Sequence, residues 1–429
     1  MSGDLSVFTT HESEVRSYCR AFPTVFTTAS GHLLTDVDGR RYVDFLSGAS
    51  SLNYGHNEPA IKRAVMRYLE RDGVLQSLDL HTAAKADFIE HLVDCVLEPR
   101  GMRYKLQFPG PTGTNAVEAA LKLARKVKGR PNVIAFTNAY HGMSLGSLAA
   151  TAARTARRGA GLPLAGVTTM PYDGYLGPDQ SSLHHIERML APGSGVEPPA
   201  AFILETVQAE GGLNAASPEW LEGLQRIARA HDALVIVDDI QAGCGRAGHF
   251  FSFEGTDLTP DIVVLSKSLS GLGLPLSLVL LRPDLDAWMP GEHNGTFRGH
   301  NLAFVGAVAA IRTYWSDRRL EEGIERRSRL VRQALEELAR QCPAGTARVK
   351  GRGLMLGLEV DQEGFAEAVS RAAFEKGLIV ETCGVRDQVV KLLPPLNIPE
   401  EGLRTGLDLL ADAFRDVLSS SAGMAVTHV

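Results

Sequence analysis

The chain has 429 residues, 44% of them hydrophobic and 22% charged, which suits a large globular domain with a smaller partner rather than one small core or a disordered chain. A net charge of −6 leaves no basic footprint for nucleic acid or an anionic membrane surface. Five scattered cysteines (Cys19, Cys95, Cys244, Cys342 and Cys383) never form a C-x-x-C pair, so neither a disulfide framework nor a metal site is expected.

The opening residues are polar and acidic rather than basic and then apolar, so no secretory signal is expected. No run is apolar for long enough to span a membrane, and the expected location is the cytoplasm. Residues 33–36 and 42–45 flank a turn at Asp38-Gly39 and predict a hairpin. From about 100 to 290, short β-rich runs alternate with helical runs, the pattern of an α/β domain with a mostly parallel sheet. The expected strands are 105–108, 133–136, 202–205, 234–238, 262–266 and 277–281. Residues 115–127 and 219–231 carry apolar side chains at helical spacing. After Trp315 charged helices (320–341, 365–376, 401–417) enclose short apolar runs at 354–360, 378–381 and 389–393, which reads as a smaller α+β domain. The expected division is 1–60, packing with the small domain; 61–315, the large domain; and 316–429, the small domain.

Leu234-Val235-Ile236-Val237-Asp238-Asp239 reads as a buried parallel strand ending in two carboxylates, and ligands of open α/β sheets sit beyond the carboxyl ends of strands. The next strand, Ile262-Val263-Val264-Leu265-Ser266-Lys267, ends on a lysine. Alone, that lysine reads as a solvated strand end. Paired with the acid, it matches what a pyridoxal cofactor needs: an amine for a Schiff base and an acid opposite the pyridinium nitrogen. The acid keeps the ring an electron sink, and the lysine, once freed by substrate, moves the substrate's proton. Alternation along a strand turns Asp239 away from Asp238. Gly110-Pro111-Thr112-Gly113-Thr114-Asn115 follows a strand and opens a helix; its free N–H groups suit a phosphate, though the same residues also make an ordinary turn and N-cap. Tyr140-His141-Gly142 follows the strand 133–136, and its aromatic side chain either stacks on a cofactor ring or faces solvent.

In this order, and together with Asp36-Val37-Asp38-Gly39-Arg40-Arg41-Tyr42-Val43-Asp44-Phe45, Asn53-Tyr54-Gly55-His56, Glu205-Thr206-Val207-Gln208-Ala209-Glu210-Gly211-Gly212 and Gly295-Thr296-Phe297-Arg298-Gly299-His300-Asn301, these segments resemble the class III (ω-amino acid) aminotransferases of fold type I. The resemblance runs from about residue 22 to 413. It implies pyridoxal 5'-phosphate as the cofactor, with Gly113 and Thr114 at its phosphate, Tyr140 over one ring face and Asp238 at the pyridinium. It further implies Gln241 at the phenolic oxygen, Lys267 as the Schiff-base lysine and Glu205 near the base of the pocket. Thr296 corresponds to the threonine that contacts phosphate across a subunit interface, which implies a homodimer with shared active sites.

The chain departs from many of these relatives at two positions. Met143 stands where they have an arginine, and Lys391 stands where they have another, three residues before Pro394-Pro395. Glu210 holds the place of the glutamate that masks the latter. A guanidinium offers carboxylates a planar fork, whereas an ammonium is a point charge on a flexible stem. One flexible ammonium, masked by Glu210 in one half-reaction and released in the other, is therefore expected to serve substrate carboxylates, with Arg298 as the next candidate. The opening 12–23, together with 48–56, 140–148 and 387–395, looks closest to the diaminobutyrate–2-oxoglutarate aminotransferases. They exchange the 4-amino group between L-2,4-diaminobutyrate and 2-oxoglutarate, with L-aspartate 4-semialdehyde and glutamate as counterparts, and serve ectoine synthesis; relatives supply siderophores and peptide antibiotics. The competing enzyme reading is another ω-aminotransferase, acting on ornithine, acetylornithine or 4-aminobutyrate. The competing non-enzyme reading is a silent, cofactor-responsive regulator, which the presence of both Lys267 and Asp238 opposes.

Overall fold

The apolar runs Val133–Phe136, Ala201–Leu204, Leu234–Asp238, Ile262–Leu265 and Leu278–Leu281 are buried at every residue. Strands of that kind belong to a sheet covered on both faces. In the computed structural model, which describes residues 4–426 and side-chain burial through residue 420, they form the middle of a seven-stranded sheet. Its order is Lys105–Gln107, Leu278–Leu281, Ile262–Leu265, Leu234–Asp238, Ala201–Leu204, Val133–Phe136, Val167–Met170. Only Leu278–Leu281 runs antiparallel to its neighbours; the other pairings are parallel.

Alternation along these strands divides their side chains between two apolar layers. Phe202, Leu204, Val235 and Val237 pack with Trp220, Leu221 and Leu224 of the helix Pro218–Ala230. Ile203, Leu234, Ile236 and Val264 pack with Val117, Ala120, Leu121 and Ala124 of the helix Gly113–Lys128. The buried positions of the second helix recur at helical spacing, and Gly129 closes it in the left-handed conformation.

Two four-stranded sheets flank this centre. Ala347–Arg352, Met355–Val360, Val389–Leu392 and Glu381–Cys383 form an antiparallel sheet. Phe26–Ser30, Leu33–Asp36 and Arg41–Asp44 form a meander extended by Leu378–Ile379, which pairs parallel to Arg41–Asp44. The run expected as one strand at 378–381 is thus split: Leu378–Ile379 joins one sheet and Glu381–Cys383 the other. Several elements were not expected, among them the helices Pro59–Glu70, Ala83–Leu92, Ser182–Leu190 and Asn301–Tyr314 and the strand Val167–Met170. Val167–Met170 is a half-exposed edge strand without a clear apolar run, and Asn301–Tyr314 is a helix apolar on nearly every side because it packs against both Pro59–Glu70 and Ala83–Leu92. Among the described residues no helix is long and apolar enough to cross a membrane, and the cysteines are free.

Candidate active site

The carboxyl ends of the central strands deliver the chemistry-bearing side chains to one cleft of about 300 Å³. After Val133–Phe136 the chain supplies Tyr140, His141 and Gly142, after Ala201–Leu204 Glu205, at the end of Leu234–Asp238 Asp238, and after Ile262–Leu265 Lys267. Gly113 and Thr114 begin the helix that follows Lys105–Gln107. Of the residues singled out from sequence, Gly113, Thr114, Tyr140, Met143, Glu205, Glu210, Asp238, Gln241 and Lys267 line the cleft.

Asp238 is buried and lies 2.7 Å, through Oδ2, from Nδ1 of the equally buried His141, while its Oδ1 accepts the Ile240 N–H at 3.2 Å. Burial alone would lower the His141 pKa, but the Asp238 carboxylate overcomes that and raises it. Sequence reasoning placed His141 only as a neighbour of Tyr140; the available signal was that a buried carboxylate needs a partner. Glu205 accepts the Tyr140 N–H at 3.0 Å and the Ala209 N–H at 3.3 Å. Burial and the nearby Asp238 push its carboxyl up to about 7, against the opposing pull of His141. Asp239 does turn the other way: it accepts the Ser252 N–H at 3.0 Å and does not line the cleft.

Lys267 is half-buried and adopts a left-handed φ of 50°, a costly conformation for a non-glycine residue. Its neighbours hold it there. The Ser266 hydroxyl donates to the Leu276 carbonyl at 2.7 Å, and the Ser268 hydroxyl donates to the Ser50 carbonyl at 2.8 Å while accepting the Asn53 N–H at 2.9 Å. Burial lowers the Lys267 pKa and Lys391 adds to this, with Glu210, Glu381 and Asp238 opposing. A depressed lysine pKa favours the neutral, nucleophilic amine.

Lys391 departs from expectation. Its side chain is fully buried, does not itself line the cleft, and is gripped from two sides, 2.9 Å from Glu210 Oε1 and 3.0 Å from Glu381 Oε1. The flexible, singly masked ammonium expected from sequence is instead a fixed one, because a buried ammonium needs compensating charge. Burial alone would raise Glu210, yet Lys391 and Lys267 hold it down at about 2. Glu381 is raised, by burial first and by the charge of Glu210, against Lys391. Arg298 is engaged elsewhere, donating to the Phe108 carbonyl at 3.0 Å and to Asn294 Oδ1 at 2.6 Å. Neither Arg298 nor the exposed Thr296 lines the cleft of its own chain.

The cleft fits a flat, phosphorylated pyridine cofactor. Two buried polar atoms around it lack partners: His141 Nε2 and Gln241 Oε1. The Gln241 amide N–H₂ already reaches Glu210 Oε1 at 3.2 Å and the Ala49 carbonyl at 3.3 Å. Gly142 has a φ of 126°, and a Cβ there would lie 2.5 Å from Thr114 Oγ1, so the position requires glycine; a Cβ at Gly113 would lie 2.8 Å from Ile240 Cδ1, the movable end of a side chain. The Thr114 hydroxyl sits 2.6 Å from both Ser144 Oγ and Ser147 Oγ. Thr112 caps the Asn115 N–H of that helix, which leaves the Gly113 and Thr114 N–H groups at its start for an anion.

The aminotransferase class-III family model matches residues 16–414 of this sequence. The chain belongs to the class-III aminotransferases. This aminotransferase is 55% identical over 418 residues to the diaminobutyrate–2-oxoglutarate transaminase of Bordetella parapertussis, covering 97% of this chain and 96% of that one. It is 51% identical over 412 residues to the enzyme of the same name from Halomonas elongata, covering 95% and 98%. The ornithine aminotransferase structure from Toxoplasma gondii superposes with a TM-score of 0.84 at 28% identity, covering 97% of this aminotransferase and 95% of its own chain.

Proposed function

We propose that this aminotransferase binds pyridoxal 5'-phosphate and exchanges the 4-amino group between L-2,4-diaminobutyrate and 2-oxoglutarate, with L-aspartate 4-semialdehyde and glutamate as the other pair. The observation that carries the substrate is the 50–55% identity, over nearly the whole of both chains, to relatives bearing that transaminase's name.

Bound in the cleft, the cofactor supplies an aldehyde to hold the amino group and a protonated ring to accept electrons from the substrate carbon. The rest falls to this chain's residues. Lys267 Nζ is the amine that attaches the cofactor and afterwards carries the proton to and from the substrate carbon. Asp238, held by His141, faces the ring nitrogen with negative charge. Gly113 and Thr114 take the phosphate at the helix start, Tyr140 covers one ring face, and Gln241 reaches the phenolic oxygen. Glu205 fixes the Tyr140 backbone at the cleft base. Glu210 and Lys391 handle substrate carboxylates. In this reading, residues 61–315 carry the cofactor, and 316–429 with 1–60 form the smaller part.

The active form is read as a homodimer. Thr296 does not line its own cleft, and the adjoining segments around Ser77 and Gly299 expose Leu75, Leu78, Leu80 and Phe297, each 47% exposed or more. An apolar patch of that kind on a chain of this size suits a subunit contact. The test of substrate is a screen of amino donors against 2-oxoglutarate with purified enzyme. L-2,4-diaminobutyrate should outperform ornithine and 4-aminobutyrate, and a clear preference for ornithine would overturn the assignment.

A further inference from the structure

Lys391 and Glu381 face each other directly across an antiparallel pair, with Glu381 opposite Lys391 in register. On the other side Lys391 is opposite Gly357, which contributes no side chain. Both members of the Glu381–Lys391 pair are buried within a four-stranded sheet. Glu210 is placed differently. It stands in the turn between the two-residue strands Val207–Gln208 and Asn214–Ala215, its side chain is 32% exposed, and it lines the cleft. Lys391 therefore has one partner set in a sheet and one on a turn at the site. A fully buried ammonium stripped of every anion is strongly disfavoured. When Glu210 gives way, the substrate carboxylate takes its place as counter-charge, and the ammonium keeps the geometry to receive it only if another partner holds it in position.

We infer that Glu381 is a positioning residue that anchors the Lys391 ammonium, so that Glu210 serves as its exchangeable partner and gives way to the carboxylate of a dicarboxylic substrate. The inference rests on the reading of Lys391 as the carboxylate receptor. Glu381 touches no substrate; it acts through Lys391. It also accounts for how a lysine does the work of a bidentate arginine here, since a point charge on a flexible stem gains fixed geometry only from what holds it.

The test is calorimetric binding of glutarate, a dicarboxylate that cannot react, to the holoenzyme, alongside the single-turnover reaction with L-2,4-diaminobutyrate. Glu381→Leu should weaken glutarate about tenfold, the equivalent of one charge-assisted contact, and slow the diamine step far less. Glu381→Gln keeps an acceptor atom beside Lys391 and should restore most of the affinity. Lys391→Met should lose at least as much as Glu381→Leu, and the double variant Lys391→Met/Glu381→Leu should be no worse than Lys391→Met. The double variant leaves no buried ammonium and serves as the comparison if Glu381→Leu does not fold. Glutarate affinity as in wild type for Glu381→Leu, with Lys391→Met impaired, overturns the anchoring role alone. Unchanged affinity in Lys391→Met overturns the reading of Lys391 itself. A double variant worse than Lys391→Met would show Glu381 acting independently, which also defeats the inference.

Discussion

His141 Nδ1 and Asp238 Oδ2 lie 2.7 Å apart, both buried, although they are 97 residues apart in the chain. The contact fixes the orientation of the carboxylate and gives it a hydrogen-bond partner inside the buried site. Asp238→Asn removes the charge and should cost turnover a hundredfold or more, the scale of a lost proton-handling group, roughly. His141→Ala leaves the charge but frees its orientation and should cost about tenfold. Asp239→Asn, turned toward Ser252, should be far milder. Steady-state turnover with saturating cofactor decides between these, and wild-type activity in Asp238→Asn would end the proposed role.

Lys267 should be the residue that holds the cofactor covalently. Borohydride reduction of the holoenzyme followed by peptide mass spectrometry is expected to find the label on Lys267. Lys267→Ala should take no label and lose nearly all turnover. The variant should fold, since it removes only an amine that burial already disfavours as a cation. A label on another lysine would refute the assignment.

Thr296 is predicted to complete the partner's cleft rather than its own. Lys267→Ala and Thr296→Ala homodimers each carry two damaged sites. A heterodimer of the two would have one site with both defects and one with neither, so mixing after reversible dissociation should bring activity back towards half. Absence of recovery in mixtures shown by mass to contain heterodimers would mean that each chain builds its site alone.

Glu205 should make stability fall with rising pH. Its carboxyl is shifted from the ordinary 4.5 up to about 7, chiefly by burial. Between those values the folded chain keeps a proton that the unfolded chain has released, so folding is penalised increasingly through that window and fully above it. Glu205→Gln has no proton to lose while keeping an acceptor for the Tyr140 N–H. Its unfolding free energy relative to wild type should therefore rise by on the order of 2–3 kcal/mol between about pH 4.5 and pH 8. Urea unfolding of the cofactor-free proteins at several pH values measures this, and a pH-independent gap would rule it out.

Local sequence signals located Val133–Phe136, Leu234–Asp238 and Phe365–Lys376 with the bounds the structure has, because apolar runs and helical spacing report burial along a continuous stretch of chain. The same signals reached Asp238, Lys267 and Gly113, each a polar or small residue where a buried strand or loop gives way to something else. Asn301–Tyr314 escaped them because a helix packed on nearly all sides has no polar face to set its period. The partner of Asp238 and the second acid on Lys391 were equally out of reach. His141 meets Asp238 only because parallel strands bring their carboxyl ends to the same end of the sheet, and Glu381 meets Lys391 only because the chain leaves one sheet at Ile379 and enters another at Glu381 in that register. The types of charged residue were thus written in the sequence. Which charges compensate one another once buried was decided by sheet order and register, since a buried ion's energy depends on neighbours within a few ångströms in space, whatever their separation along the chain.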